Sequence, residues 1–213
     1  MINDWLADTR TSYDTVAANY ADLVRDAATD NAQLRSALTV LAEQVRALGG
    51  GPVADIGCGP GQFTAYLHEL GVDAFGIDLS PAMIELARRA HPGVRFEVGS
   101  MTDLGLADGS LAGVLAFWSL IHVPDDEVPG VLRDFHRMLR PGGLVQIGFH
   151  VGTESNLKTE GYGGHPMKVY VHRRQPERMA ELVGQAGFEV DTQLLLYTEG
   201  IVRQAILFGH SRT

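Results

Sequence analysis

The sequence contains one cysteine, Cys58, so no disulfide can form within the chain. A single cysteine does not indicate the redox compartment. Cys58 lies inside a glycine-rich turn, where a small residue that packs beneath a ligand is a commoner finding than a nucleophile. We therefore predict no thiol chemistry at this position.

Basic residues are scarce relative to acidic ones. The chain has 17 Lys and Arg residues against 26 Asp and Glu residues, which gives a net charge of −9 and a pI of about 5.3. Proteins that bind nucleic acid cluster Lys and Arg against the phosphates. The charge balance therefore argues against a nucleic-acid partner.

Paired acidic clusters of the kind that hold metal ions are also missing. Asp125, Asp126 and Glu127 form one acidic run, but they begin a predicted helix, where acidic side chains complement the helix dipole. No second acidic cluster follows the next predicted strand, so we predict no metal dependence.

Long apolar runs are absent too. No segment reaches the length of a membrane helix, and the first ten residues, MINDWLADTR, contain acidic residues and no apolar signal core. With 213 residues, of which 45% are hydrophobic and 20% charged, the composition is typical of one soluble domain. We expect a single domain over residues 1–213, a cytoplasmic location and no membrane partner, while the oligomeric state stays open.

The most informative stretch that is present is VADIGCGPG, residues 53–61. Its first residues are apolar and predict a buried strand, and Gly57, Gly59 and Gly61 predict a turn in which the main chain approaches a ligand closely. A helix predicted directly after the turn would present unpaired N–H groups beside it. A second apolar run ends at Asp78, whose carboxylate can hold both ribose hydroxyls of a nucleoside.

The spacing of the glycines bears on which nucleoside cofactor binds. A dinucleotide fingerprint, G-x-G-x-x-G, would need a third glycine where the chain has Gln62. The pattern is instead D-x-G-x-G-x-G from Asp55 to Gly61, followed in order by GIDLSPAMIELAR, GSMTDLGLADGSLAGVLAFWSLIHV and LRPGGLVQIGF. In these motifs the chain resembles the class I S-adenosylmethionine-dependent methyltransferases, and the resemblance extends from Tyr13 to about Gly209.

The resemblance implies S-adenosylmethionine as cofactor and methyl transfer to the O, N or C of a small-molecule acceptor. Such a cofactor carries the hard chemistry, so the protein must align donor and acceptor and exclude water, and it needs no nucleophilic side chain. Two alternatives stay open. One is a nicotinamide-dependent oxidoreductase, which Gln62 disfavours, and the other is a non-catalytic subunit that binds S-adenosylmethionine without turnover.

A cofactor site follows from the same resemblance. It implies that Asp78 holds the ribose hydroxyls and that Asp55 helps to orient the ammonium group. The family usually has an acidic residue that accepts from the adenine amino group where this chain has Ser100, so that contact would be weaker or would pass to the backbone of Met101. The remaining implied cofactor contacts are Tyr20, Gly57, Cys58, Gly59, Leu79, Met83, Phe117 and Trp118.

His122 is the leading candidate for acid–base catalysis. It follows the fourth predicted strand, on the reactive edge of the sheet, and a neutral imidazole can accept a proton from an acceptor. The alternative is a hydrogen-bonded histidine that fixes its loop. Besides His122, the candidate contacts to the acceptor are Tyr13, Tyr162, His165 and Tyr170.

The order of the predicted elements indicates an α/β fold. We expect a doubly wound, Rossmann-like sheet of seven strands, mostly parallel, with a C-terminal antiparallel hairpin at residues 188–197 and 201–208. Residues 1–30 are predicted to form a helical cap. Residues 150–174 lack clear periodicity, and their glycines and aromatic residues predict an irregular segment that closes over the acceptor as a lid. Arg173 and Arg174, at the end of that segment, are predicted to be a solvated pair.

Overall fold

The computed structural model describes residues 5–26 and 30–212. Residues 1–4 and 27–29, which belong to the predicted N-terminal cap, lie outside the described residues. The described helices, in chain order, are α1 (Trp5–Val24), α2 (Ala32–Ala47), α3 (Gln62–Glu69), α4 (Pro81–Ala90), α5 (Val128–Met138) and α6 (Pro176–Gln185).

Seven strands form one sheet, as the sequence predicts. They are β1 (Val53–Ile56), β2 (Ala74–Asp78), β3 (Arg95–Val98), β4 (Leu111–Phe117), β5 (Leu139–His150), β8 (Phe188–Thr198) and β9 (Ile201–Ser211). Their order across the sheet is β3-β2-β1-β4-β5-β9-β8. The first five are parallel, and β9 pairs antiparallel with both β5 and β8. The predicted terminal hairpin is confirmed.

The helices cover both faces of this sheet. One buried cluster includes side chains of α5 and α6, and a second includes side chains of α2 and α3. All seven residues of β4 are buried, which explains why that strand is a continuous apolar run. The strand order reverses between β1 and β4, and open α/β sheets bind ligands at such a point, beyond the carboxyl ends of the strands.

Local sequence signals set the ends of the helices. Asn31 caps α2, and its side chain accepts from the N–H groups of Gln33 and Leu34. Ser80 caps α4, and Pro81 occupies the first helical position.

Residues 150–174 differ from the expectation of an irregular segment. They contain a second, two-stranded antiparallel sheet made of β6 (Ser155–Glu160) and β7 (Pro166–His172), joined through a short 3₁₀ turn at Tyr162–Gly164. The hairpin lies against α1, where the main-chain N–H of Lys168 donates to Ser12 Oγ and the Lys168 ammonium pairs with Asp8 at 2.7 Å. This pairing gives the hairpin a fixed base on the cap.

Candidate active site

The glycine turn after β1 is shaped by close packing. Gly57 has a φ of +77°, and a Cβ atom at this position would lie 2.2 Å from the Cβ atom of Ser119. The Ser119 hydroxyl in turn donates to the carbonyl of Ile56 at 2.6 Å. Only glycine satisfies both the backbone conformation and the close approach of the segment that follows β4.

Asp78, at the end of β2, is held by the main chain. The N–H of Gly59 donates to Oδ2 at 2.8 Å, and the N–H of Ser80 donates to Oδ1 at 2.8 Å. Burial raises the pKa of Asp78, while these two N–H groups act in the opposite direction. Since a carboxylate oxygen can accept more than one hydrogen bond, each oxygen retains capacity for a ligand hydroxyl.

A pocket opens between this turn, the ends of β2, β3 and β4, and helix α1. It encloses about 720 Å³ of space including its mouth, within the range of small-molecule sites. Twelve of the residues predicted to form the site line it, namely Tyr13, Tyr20, Gly57, Gly59, Asp78, Leu79, Met83, Ser100, Met101, Phe117, Trp118 and His122.

Helix α1 supplies four further lining residues that the sequence analysis missed, Trp5, Leu6, Thr9 and Arg10. A signal for them exists. Counted back from Tyr13, they lie three, four, seven and eight residues away, which is the spacing of one helical face. Tyr20, seven residues after Tyr13, belongs to the same face, so the spacing could have identified all of them.

Two predicted cofactor contacts lie beneath the turn and do not line the pocket. Cys58 is 3% exposed and packs with Ile84, Ala87 and Phe96, as a small packed residue would. Asp55 is 1% exposed, and its Oδ2 accepts from the hydroxyl of Thr64 at 2.6 Å. Burial raises the pKa of Asp55 to about 7, opposed by the bonds from Thr64. In this arrangement Asp55 supports the turn from below.

Trp118 combines two unusual features at the pocket wall. Its φ of +52° is rare for a residue other than glycine, and its indole Nε1 is buried without a hydrogen-bond partner. The ring also packs against Phe63 and Phe117. Strained backbone and an unpartnered donor at a pocket wall are features of functional sites.

Tyr13 and His122 form a hydrogen-bonded pair. The Nδ1 atom of His122 lies 2.8 Å from the carbonyl oxygen of Tyr170, so this nitrogen carries the proton and donates. Nε2 is then an acceptor, and it receives the hydroxyl of Tyr13 at 2.7 Å. Burial lowers the pKa of His122 to about 4, and burial raises the pKa of Tyr13 well above its usual value. The pair is therefore neutral near pH 7.

The tip of the β6–β7 hairpin reaches the pocket through an aromatic contact. Tyr162 packs edge-on against Tyr20 at 4.8 Å, and Tyr20 packs edge-on against Tyr13 at 5.8 Å. The Lys158 ammonium lies 3.8 Å from the centre of the Tyr162 ring, a cation–π geometry. Tyr162 thus acts on the pocket through Tyr20 and does not line it.

The last two predicted acceptor contacts have different positions. His165 is exposed, and neither this pocket nor the neighbouring one includes it. Tyr170 offers its carbonyl to His122 and lines a second pocket of about 650 Å³ on the other side of that histidine. Trp5, Thr9 and His122 line both pockets, while Asp8, Pro124, Ser155, Lys168, Val169 and His172 complete the second.

The described part of the chain contains neither a metal-binding cluster nor a membrane-spanning helix. No three or more His, Cys, Asp or Glu side chains are grouped there in a way that would hold a metal ion. Over the same residues, none of the helices is both long and apolar enough to cross a membrane.

Comparison with known proteins finds methyltransferases among the proteins to which this chain is similar. Residues 53–143 match the family profile described as a methyltransferase domain. Malonyl-[acyl-carrier protein] O-methyltransferase of Pectobacterium atrosepticum is 33% identical over 93 residues, which cover 44% of this chain and 36% of that protein. Phosphoethanolamine N-methyltransferase 3 of Arabidopsis thaliana is 30% identical over 153 residues, which cover 66% of this chain and 29% of that protein. The chain thus spans about a third of the length of these relatives.

A solved structure matches over the whole chain. The crystal structure of 1,6-didemethyltoxoflavin-N1-methyltransferase of Burkholderia thailandensis, with bound 1,6-didemethyltoxoflavin and S-adenosylhomocysteine, has a TM-score of 0.73 and 25% identity, and the match covers 100% of this chain and 91% of that one. Residues 53–143 thus match a methyltransferase domain, and the fold of the chain is similar to that of class I S-adenosylmethionine-dependent methyltransferases. The cofactor of this class is S-adenosylmethionine, as the sequence analysis predicted.

Proposed function

We propose that this protein transfers a methyl group from S-adenosylmethionine to an O, N or C atom of a small-molecule acceptor, and that Tyr13 and His122 remove the acceptor's proton. One observation carries the proposal: the hydrogen-bonded Tyr13–His122 pair lines the same pocket as Asp78 and the glycine turn. Cofactor-binding groups and an uncharged proton acceptor therefore share one enclosure.

The residues present fit the cofactor. Asp78 is fixed with free lone pairs toward two ribose hydroxyls, and the buried indole N–H of Trp118 lacks a partner at the pocket wall. When bound, S-adenosylmethionine supplies an electrophilic methyl group on a positively charged sulfur. The aromatic faces of Tyr20, Phe117 and Trp118 favour a cation at that position.

The hydrogen-bond directions decide the path of the proton. The lone pair of His122 Nε2 is already occupied by the Tyr13 hydroxyl, so the atom free to receive a proton is the Tyr13 oxygen. The acceptor gives its proton to that oxygen, and the Tyr13 proton moves to Nε2. In the transfer, the acceptor would lose this proton as its bond to the methyl carbon forms and the carbon–sulfur bond breaks, so the positive charge of the sulfonium would end on the imidazolium of His122.

We place the acceptor at the junction of the two pockets, where Trp5, Thr9 and His122 are shared. The tip of the β6–β7 hairpin would close this region from above through Tyr162 and Tyr20, which is the lid role proposed for residues 150–174. The names of the relatives support small-molecule acceptors, and the acidic charge balance favours such an acceptor over nucleic acid. The cytoplasmic location expected from the sequence stays a prediction.

The test uses the full chain with S-adenosylmethionine and panels of phenol, amine and activated-carbon acceptors, and mass spectrometry detects the gain of one methyl group. With an acceptor in hand, Tyr13→Phe keeps the ring contacts and removes the hydroxyl. We expect its transfer rate to fall roughly 10²–10⁴-fold, with affinity for S-adenosylhomocysteine within about tenfold of wild type. Tyr197→Phe, at an exposed ring far along the chain, is the matched control.

Two outcomes would count against the proposal. Tight cofactor binding with no transfer to any acceptor class would favour the non-catalytic alternative. Wild-type turnover in Tyr13→Phe would show that the acceptor does not use this proton path.

A further inference from the structure

Arg174 follows β7 at the end of the hairpin, and the expectation of a solvated arginine pair is wrong for it. Its side chain is 3% exposed, whereas that of its partner Asp125 is 75% exposed. Its neighbour Arg173 is only partly covered. Burying a guanidinium costs free energy unless its N–H donors are hydrogen-bonded. The acceptors of those hydrogen bonds therefore indicate which part of the chain Arg174 holds in place.

Those bonds enclose the short turn that carries His122. The turn is a 3₁₀ helix at Leu120–His122. Arg174 Nη1 donates to the Leu120 carbonyl at 3.0 Å, and Nη2 donates to the Val123 carbonyl at 2.7 Å. Nε donates to Asp125 Oδ1 at 2.9 Å. One planar side chain thus fixes the turn at its first residue and at the residue after its last.

The same stretch of chain holds His122 directly. The carbonyl of Tyr170, four residues before Arg174, accepts from His122 Nδ1. The main-chain N–H of Arg174 donates to the carbonyl of His150, at the end of β5, at 3.0 Å. The backbone that orients the imidazole and the side chain that orients its turn are therefore anchored together to the main sheet.

Arginine suits this task for a geometric reason. Its guanidinium presents five donors in a rigid plane, whereas a lysine ammonium is a compact charge on a flexible stem. The two carbonyls and one carboxylate that surround the Arg174 side chain suit a planar guanidinium and not a lysine ammonium. An apolar side chain of similar length would fill the space but would remove a donor from both carbonyls, and the Leu120 carbonyl would keep only the N–H of Val123.

We propose that Arg174 is a positioning residue for His122: by binding the carbonyls of Leu120 and Val123 it holds the turn so that Nδ1 meets the Tyr170 carbonyl and Nε2 meets Tyr13. The inference rests on the proposed function only for its effect on methyl transfer. Its effect on His122 itself does not depend on any acceptor.

The experiment is ¹⁵N NMR of the histidine rings in the full chain saturated with S-adenosylhomocysteine, with His122 assigned through His122→Asn. In wild type we expect a neutral ring with its proton on Nδ1. In Arg174→Met we expect loss of that single tautomer and a pKa that moves up toward the ordinary histidine value. The other groups that act on this pKa, His150, His172 and Lys158, are unchanged in the variant.

Transfer and binding provide a second readout. Arg174→Met should lower the transfer rate on the order of tenfold to a hundredfold, as expected when a catalytic group is misplaced, while affinity for S-adenosylhomocysteine stays within a few-fold of wild type. Arg173→Met is the matched control, since no hydrogen bond joins its side chain to the turn, and it should match wild type in both readouts.

The proposal fails if Arg174→Met unfolds at a lower temperature but keeps the wild-type His122 tautomer and pKa, because Arg174 would then stabilise the fold without positioning the ring. Should Arg174→Met not fold, Arg174→Lys decides, and a wild-type His122 spectrum in that variant overturns the proposal. A changed spectrum in a protein that methylates no acceptor would leave Arg174 as a positioning residue and reject the proposed function instead.

Discussion

Both oxygens of Asp78 already accept a main-chain hydrogen bond, from Gly59 and from Ser80. Replacement by alanine would leave these two N–H groups without an acceptor and would mix a folding defect with a binding defect. Asp78→Asn retains one acceptor oxygen and is the better test of the ribose role.

We expect Asp78→Asn to weaken S-adenosylhomocysteine binding at least about tenfold, because hydrogen bonds to a charged acceptor are worth about 1.5–3 kcal/mol each. Calorimetry measures the affinity. Asp73→Asn, an exposed carboxylate just before the same strand, should bind as wild type does. Unchanged affinity in a folded Asp78→Asn would remove this residue from the cofactor site.

His122 gives the free energy of unfolding a definite pH dependence. Its pKa is about 4 in the folded chain against 6.5 for an ordinary histidine. Between these values the unfolded chain binds a proton that the folded chain does not. The contribution of His122 is thus fully present above pH 6.5 and is lost as the pH falls toward 4, by at most on the order of 3 kcal/mol.

Asp55 has the opposite effect on the free energy of unfolding, because its pKa is raised from 3.8 to about 7 in the folded chain. The contribution of Asp55 to that free energy therefore falls as the pH rises through this interval. The pH dependence that His122 causes is therefore best measured in a variant that carries Asp55→Asn. Urea unfolding should show stability rising between pH 4 and pH 6.5 in Asp55→Asn, and much less so in Asp55→Asn with His122→Asn. Parallel curves would show that His122 is not buried as a neutral ring.

Residues with a positional signal could be predicted from the sequence. Asp78 ends one apolar strand and His122 comes five residues after the end of another, and the ends of parallel strands meet at one edge of a sheet. Arg174 could not be predicted, because nothing in two adjacent arginines says which one turns inward. That choice depends on carbonyls about fifty residues earlier in the chain.

At the scale of elements, the β6–β7 hairpin is the main departure from expectation. Five of the six residues of β6 are exposed, so the strand has no buried face and therefore no alternation to detect. Its position is set by contact with α1, which no local pattern encodes. In the main sheet, the central strands β1, β2, β4 and β5 are largely buried and leave apolar runs that the sequence shows, whereas β3 and β8 are mostly exposed.

Gly161, at the tip of that hairpin, and Gly184, in α6, form a matched pair of glycines for a test. A Cβ atom on Gly161 would lie 2.1 Å from Met167 Sδ and 3.0 Å from Val16, both buried, so Gly161→Ala should cost about 1–3 kcal/mol and free the tip from α1. Gly184→Ala, in α6 with open space around it, should instead stabilise by about 0.5–1 kcal/mol.

Limited proteolysis of residues 158–168 and urea unfolding measure the two effects. Since Gly161 touches neither pocket, affinity for S-adenosylhomocysteine should change little in Gly161→Ala while transfer falls. If the tip stays protected and transfer is normal, the lid role of residues 150–174 is wrong.

At the scale of the whole molecule, we expect cofactor binding to raise the thermal stability of the protein. We propose that residues 1–213 fold as one domain, so one cooperative thermal transition is expected. S-adenosylhomocysteine at a hundred times its dissociation constant adds about 2.7 kcal/mol, which corresponds to a rise of about 5–10 °C for a chain of this size. NAD at the same concentration should give no rise, and a larger rise with NAD would contradict the choice of cofactor.

Helix α1 forms one wall of the pocket. Besides the Tyr13–His122 hydrogen bond, the Asp14 carboxylate ties it to the start of α4, since Asp14 Oδ1 accepts from the Ser80 hydroxyl at 2.5 Å and from the Ala82 N–H at 3.1 Å. We expect a cofactor molecule bound behind that wall to leave when the wall moves away. In that case the opening of α1 sets the residence time of the spent cofactor, and its release, not the chemical step, limits the speed of the catalytic cycle.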